Sequence, residues 1–255
     1  MNIVVFDTET TNLEKPFCYN IGYVIADTET RQVLLRRDYV VEQVWHNPML
    51  FTTAYYADKR EIYVNRMKAR KVIMDKFGYI TQTMIRDFKA FDVQLAFAYN
   101  SPFDVKVFNY NCEWFKCNNP FDNIPIHDIR GFVHKYLAFT TEYQDFCDTH
   151  EYFTESGNYS TTAETVYRYI SNDIDFDEEH TALADSEIEL DILLHCLDLG
   201  ANVNEIYKTY TSIPRKVNRT LTIELDNQEI KFEYLSRRNY KDSNGQVNRI
   251  VLKNN

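Results

Sequence analysis

The stretch Asn2-Ile3-Val4-Val5-Phe6-Asp7-Thr8-Glu9-Thr10-Thr11 sets the hardest condition in the chain. Its first half is a short apolar run that reads as a buried strand. Its second half is acidic. In an extended strand successive side chains alternate faces, so Asp7 and Glu9 point the same way and Thr8 points away. Two carboxylates on one face at the end of a buried strand repel each other, and burying them is costly unless a positive charge sits between them. A hard divalent cation such as Mg²⁺ or Mn²⁺ meets that need. The plainer alternative is an acidic loop after a strand, with Thr10 or Thr11 capping the next element.

Downstream, Asn20 to Asp27 and Arg31 to Val41 read as two more strands. The polar turn Asp27-Thr28-Glu29-Thr30 makes them a hairpin, and the first strand pairs with it. Residues 42–58 read as irregular. Lys59 to Phe77 reads as a helix, with Tyr63, Met67, Met74 and Phe77 at helical spacing. It is rich in Lys and Arg, which suits either a helix that tracks phosphates or a solvated helix covering one edge of the domain. Tyr79 to Ala90 continues as helix, and Val93 to Ala98 is a short apolar strand. Pro102 is placed for the first turn of a helix running from Asp104 to about Phe115. Ile124 to Asp128 reads as an edge strand because of Pro125. A helix follows over 128–138, with Asp128 as its cap, and Thr140 to Asn158 reads as a long loop. Thr161 to Ile170 is a further helix, and Ser171 to Glu179 is an acidic, solvated loop without the pattern of a calcium-binding loop. A strong helix then runs to Gly200, and three short strands are expected over Thr220 to Lys253, with a turn at Ser243-Asn244-Gly245.

On the helix after Leu183, the face of Asp185 continues into Ile188 and Ile192. Asp185 therefore opens the buried stripe, where a carboxylate needs a cation or a basic partner. His180, five residues earlier, belongs to the preceding loop or first turn and leans over the site. Asp104 follows a strand end in the same manner as Asp7 and Glu9. In open α/β sheets, sites form beyond strand ends. Four acids and a histidine converging there form the constellation expected for two-metal phosphoryl chemistry.

The charge is uneven. The chain has a net charge of -10 over its 255 residues, yet residues 201–255 hold ten Lys/Arg against six Asp/Glu. An acidic body with basic segments fits a metal site beside a polyanion path, and an ordinary acidic protein nearly as well. In the tail, Arg215, Lys216, Arg219, Arg237, Arg238 and Lys241 with Tyr234 and Tyr240 suit either a grip on single strands or a small docked sheet. Five cysteines, an odd number, point to reduced thiols and a cytoplasmic location. No apolar stretch approaches membrane-span length, and no signal peptide is read at the N-terminus.

Phe6-Asp7-Thr8-Glu9-Thr10-Thr11 resembles motif I of the DEDD 3′→5′ exonuclease superfamily. Asn100-Ser101-Pro102-Phe103-Asp104 resembles its motif II. His180 with Asp185 resembles motif III in the His-x4-Asp form of the DEDDh branch, which includes the proofreading epsilon subunit of bacterial DNA polymerase III. The resemblance covers about residues 1–200. It implies an α/β, RNase H-like fold, a mixed five-stranded sheet flanked by helices, over a domain of residues 1–204. A basic helical insertion at about 42–77 and a small basic β-rich extension at 205–255 fall outside the family core. It implies two Mg²⁺ or Mn²⁺ ions held by Asp7, Glu9, Asp104 and Asp185, with His180 as general base. The acidic run before His180 would raise its pKa and two cations would lower it. Thr10 and Thr11 would lie beside the terminal nucleotide, and Phe103 would pack near it or seat its helix. The implied activity is release of nucleoside monophosphates from a single-stranded 3′ end, of DNA rather than RNA, with a polymerase or other replication protein as a separate partner. An exoribonuclease of the same fold and a non-catalytic binding module are the alternatives.

Overall fold

A computed structural model describes residues 1–51, 54 and 60–215 in full, and beyond them the backbone of four short strands. Strand β1 (Asn2–Thr10) carries the acidic residues within the strand itself, and not in a loop after it. It pairs antiparallel with β2 (Cys18–Asp27), which pairs antiparallel with β3 (Val33–Val41) across the expected turn. Two short helices come next, α1 (Glu42–Trp45) and α2 (Pro48–Phe51), where the sequence reads as irregular.

The helix expected over 59–77 is broken. Helix α3 (Arg60–Lys68) is followed two residues later by Arg70, whose left-handed φ of 58° turns the chain. β-Branched Val72 and Ile73 then favour extended backbone, and β4 (Ile73–Asp75) adds in parallel to β3. Helix α4 (Phe77–Ala90) leads into β5 (Leu95–Ala98), parallel to β1. Helix α5 (Pro102–Phe115) has its proline in the first turn, as expected. Strand β6 (Ile126–Asp128) is the parallel edge strand, and Asp128 caps α6 (Ile129–Tyr136) by accepting from the Arg130 N–H. Helix α7 (Thr141–Thr149) lies where a loop is expected, capped by Thr140. Helix α8 (Ala163–Ser171) is capped by Thr162. Helix α9 (Ala182–Asp198) stops before Gly200, whose φ of 94° suits glycine.

The sheet order is β4-β3-β2-β1-β5-β6, so the insertion adds a sixth, short strand to the five expected. The two faces of β1 serve separate layers. Val4 and Phe6 pack with Ile80, Met84, Val107 and Phe108 of α4 and α5. Ile3 and Val5 pack with Ile129, Phe132, Ile192 and Leu193 of α6 and α9. Alternation along one strand thus decides which layer each acidic residue will meet. Residues 201–215 lie back on the second layer. Ile213 is fully buried and pairs with Tyr159, and Arg215 meets Asp148 at 2.8 Å. Strands β7 (Asn218–Leu225) and β8 (Gln228–Leu235) pair with each other, as do β9 (Tyr240–Lys241) and β10 (Val247–Asn248). The turn expected at 243–245 and the side chains of the basic tail beyond Arg215 lie outside the described residues.

Candidate active site

Asp7 stands opposite Gly22 of β2 in the ladder. A Cβ at position 22 would come within 2.1 Å of the Ala182 carbonyl carbon and the Leu183 nitrogen. The missing side chain lets the first turn of α9 lie directly on the strand. Ser186 fastens it there, its hydroxyl 3.2 Å from the Gly22 oxygen and 2.6 Å from the Ala182 oxygen. Asp185 is thereby brought to the face of β1 that carries Asp7 and Glu9, and oxygens of the three carboxylates lie within 4.8 Å of one another. Tyr19 donates to Glu9 Oε2 at 3.4 Å.

Asp104 arrives from the other layer. It is buried in the first turn of α5 and accepts a 2.6 Å hydrogen bond from Thr8, the residue that points away from Asp7 and Glu9. It is not part of the trio. Burial first, then the charge of Asp7, pushes the Asp104 carboxyl well up, against the Thr8 hydrogen bond. Burial likewise pushes Asp7 up to about 7. Carboxyls this reluctant to ionise together mark a place where a cation would be strongly favoured.

His180 has a left-handed φ of 51° and a ring about one-third exposed. Its Nδ1 lies 3.4 Å from Glu178 Oε2. Glu178, His180 and Asp185 form a second group within 4.8 Å, sharing Asp185 with the first. The acidic run before His180 is therefore not simply solvated: Glu178 faces the histidine. Thr10 is partly exposed at the end of β1. Thr11 is fully buried, with its N–H on the Phe17 oxygen at 2.9 Å, so it holds the loop together. Phe103 packs against the core of α4 and α5.

Sequence reasoning passed over Glu189. It lies four residues after Asp185, on the same helical face, and is buried. Its Oε2 accepts from the Tyr99 N–H at 3.1 Å. Burial, followed by the charges of Asp7, Asp104 and Asp185, pushes its carboxyl well up. The signals for Glu178 and Glu189 were their spacing from His180 and Asp185. The signal for Gly22 was a glycine inside an otherwise apolar strand.

No family model and no curated protein matches this sequence. Among solved structures, the fold is similar to the nuclease domain of 3′hExo, a DEDDh family member, bound to rAMP. The TM-score is 0.53 at 15% identity, over 80% of this chain and 96% of that one. It is also similar to a 3′-exonuclease in a structure of 3′-end specific recognition of a histone mRNA stem-loop. There the TM-score is 0.50 at 12% identity, over 97% of this chain and 93% of that one. With its sheet order, its two helical layers and these likenesses, the chain carries the DEDDh-type 3′ exonuclease fold.

Proposed function

We propose that this chain is a metal-dependent 3′→5′ exonuclease that releases nucleoside monophosphates from single-stranded DNA ends. The observation that carries the reading is the convergence of Asp7, Glu9 and Asp185 within 4.8 Å. The donor set is all oxygen, which suits Mg²⁺ or Mn²⁺ and does not suit softer metals. Asp7, Glu9 and Asp185 would hold the ions, with Asp104 completing the set from the α5 side. Bound there, two ions would lower the pKa of the attacking water and stabilise charge on the leaving 3′ oxygen.

The remaining work falls to the chain itself. His180 takes the proton of the attacking water, a role for which imidazole is the side chain best suited near neutral pH. Glu178 beside Nδ1 orients the ring. Thr10, at the open end of β1, and Phe103, beside Asp104, flank the terminal nucleotide, and Thr11 keeps the loop in place. RNA is the second reading, favoured by the two similar structures, one with rAMP bound and one recognising an mRNA stem-loop.

The test is cleavage of matched 5′-labelled DNA and RNA oligonucleotides with Mg²⁺ or Mn²⁺, with and without chelator. A ladder shortening from the 3′ end, lost with chelator and in Asp7→Ala, is expected. Equal cleavage by wild type and Asp7→Ala would refute the site.

A further inference from the structure

We propose that Arg66 of the insertion helix is a positioning residue for His180, and that the insertion holds the loop of the general base instead of gripping phosphates. The proposal rests on the exonuclease reading above. One guanidinium nitrogen, Nη1, lies 2.9 Å from Glu179 Oε1 and 2.9 Å from Thr181 Oγ1, the two neighbours of His180. The other, Nη2, lies 3.0 Å from Oδ2 of Asp38 on β3. Arg66 thus ties both flanks of the histidine to the central sheet. The Asp38 side chain is fully buried, and its Oδ1 accepts from Asn20 Nδ2 at 2.7 Å.

The insertion makes a second attachment one residue further on. Tyr63, one turn before Arg66, donates to Asn20 Oδ1 at 2.9 Å, and the same oxygen accepts from the Ala182 N–H at 2.8 Å. The segment 179–182 is therefore held from α3 and β2 at three places around a residue in left-handed conformation. That conformation is uncommon for a non-glycine residue, and the contacts on both sides of His180 hold it there. Arginine suits the task because its planar fork serves several acceptors in fixed geometry, whereas a lysine ammonium is a single flexible point. Three oxygens already occupy the two terminal nitrogens of Arg66, whose side chain is 18% exposed, so it is poorly placed to meet a phosphate.

Removing Arg66 outright would leave Asp38 buried without its cation and could unfold the chain. The decisive variant therefore breaks only the loop side: Glu179→Ala with Thr181→Val. Arg66→Lys is the conservative partner. Hydrogen exchange of the backbone over 178–183 is measured alongside kcat and KM on the preferred oligonucleotide. In the double variant, exchange should rise by about tenfold or more, as expected for local opening. kcat should fall by about tenfold or more with KM within about threefold, as expected for lost orientation. Arg66→Lys should fall between it and wild type. Unchanged exchange and kcat would overturn the proposal. So would a raised KM with intact kcat in Arg66→Lys, which would mark a contact with the substrate. A wild-type chain without nuclease activity would sink the exonuclease reading alone, and the exchange measurement would still decide whether Arg66 holds the loop.

Discussion

Asp7 is expensive to ionise where it stands, because burial raises its carboxyl to about 7, against an ordinary value of 3.8. Between those two values the folded chain holds a proton that the unfolded chain releases. Stability from this group is therefore fully present below about pH 4 and is lost as pH rises towards 7. Asp104 and Glu189 are shifted in the same direction and add to the trend. A divalent ion needs these groups deprotonated, so its binding opposes the loss. The unfolding free energy of metal-free protein should fall between pH 5 and 7 relative to a variant with Asp7→Asn, by an amount on the order of 1 kcal/mol. The stabilisation given by Mg²⁺ should be small at pH 5 and largest above pH 7. A magnesium shift independent of pH would contradict this. Glu189→Gln keeps an acceptor for the Tyr99 N–H and removes a like charge. It should raise metal-free stability at pH 8 by on the order of 1 kcal/mol, read from denaturant unfolding.

Helix α9 is set on β2 by the absence of one side chain, and that contact links two elements more than 150 positions apart. Gly22→Ala would force the first turn of α9 away from the strand, since the contact is with backbone that cannot swing aside. Overpacking of this kind costs about 1–3 kcal/mol. Displacing Asp185 by about 1 Å should cost about a hundredfold in kcat. Gly131→Ala is the control. Its Cβ would meet the Tyr207 oxygen at 2.4 Å, in the contact between α6 and the segment after α9. It should lower the thermal midpoint comparably and leave kcat within about threefold. Equal kcat loss in both would mean that stability, not placement, limits activity. Most elements were legible from local pattern: the β2–β3 turn, Pro102 opening α5, Asp128 capping α6 and Gly200 closing α9. Two were not. Helix α7 buries Tyr143, Gln144 and Cys147, and a stripe with so few apolar positions reads as loop until the partner surface is known. The helix over 59–77 looked continuous because Met67 and Met74 keep helical spacing, while the reversal at Arg70 depends on β4 finding an edge of β3.

Across the whole molecule, the acids that can be matched by spacing along the chain were readable, and the residues that bring them together were not. Asp7, Glu9, Asp104, His180 and Asp185 stand in recognisable local settings. Gly22 and Glu189 carry local signals, but what they touch, like the 113-residue span from Arg66 to Glu179, is set only across the fold. All the proposed site residues fall between Asp7 and Glu189, and residues 201–215 are part of the packed body through Tyr207, Ile213 and Arg215. Metal-dependent cleavage of short oligonucleotides should survive deletion of 216–255 within about twofold of the full chain, since all the proposed site residues precede it. Deleting 205–255 should destabilise the chain by about 2–5 kcal/mol, through loss of buried Ile213 and its neighbours. The most direct test of the metal site is anomalous diffraction at the manganese edge from crystals soaked in Mn²⁺. Peaks within coordination distance of Asp7, Glu9 and Asp185 are expected. Ordered carboxylates at these three positions with no manganese among them would contradict the site and the chemistry built on it.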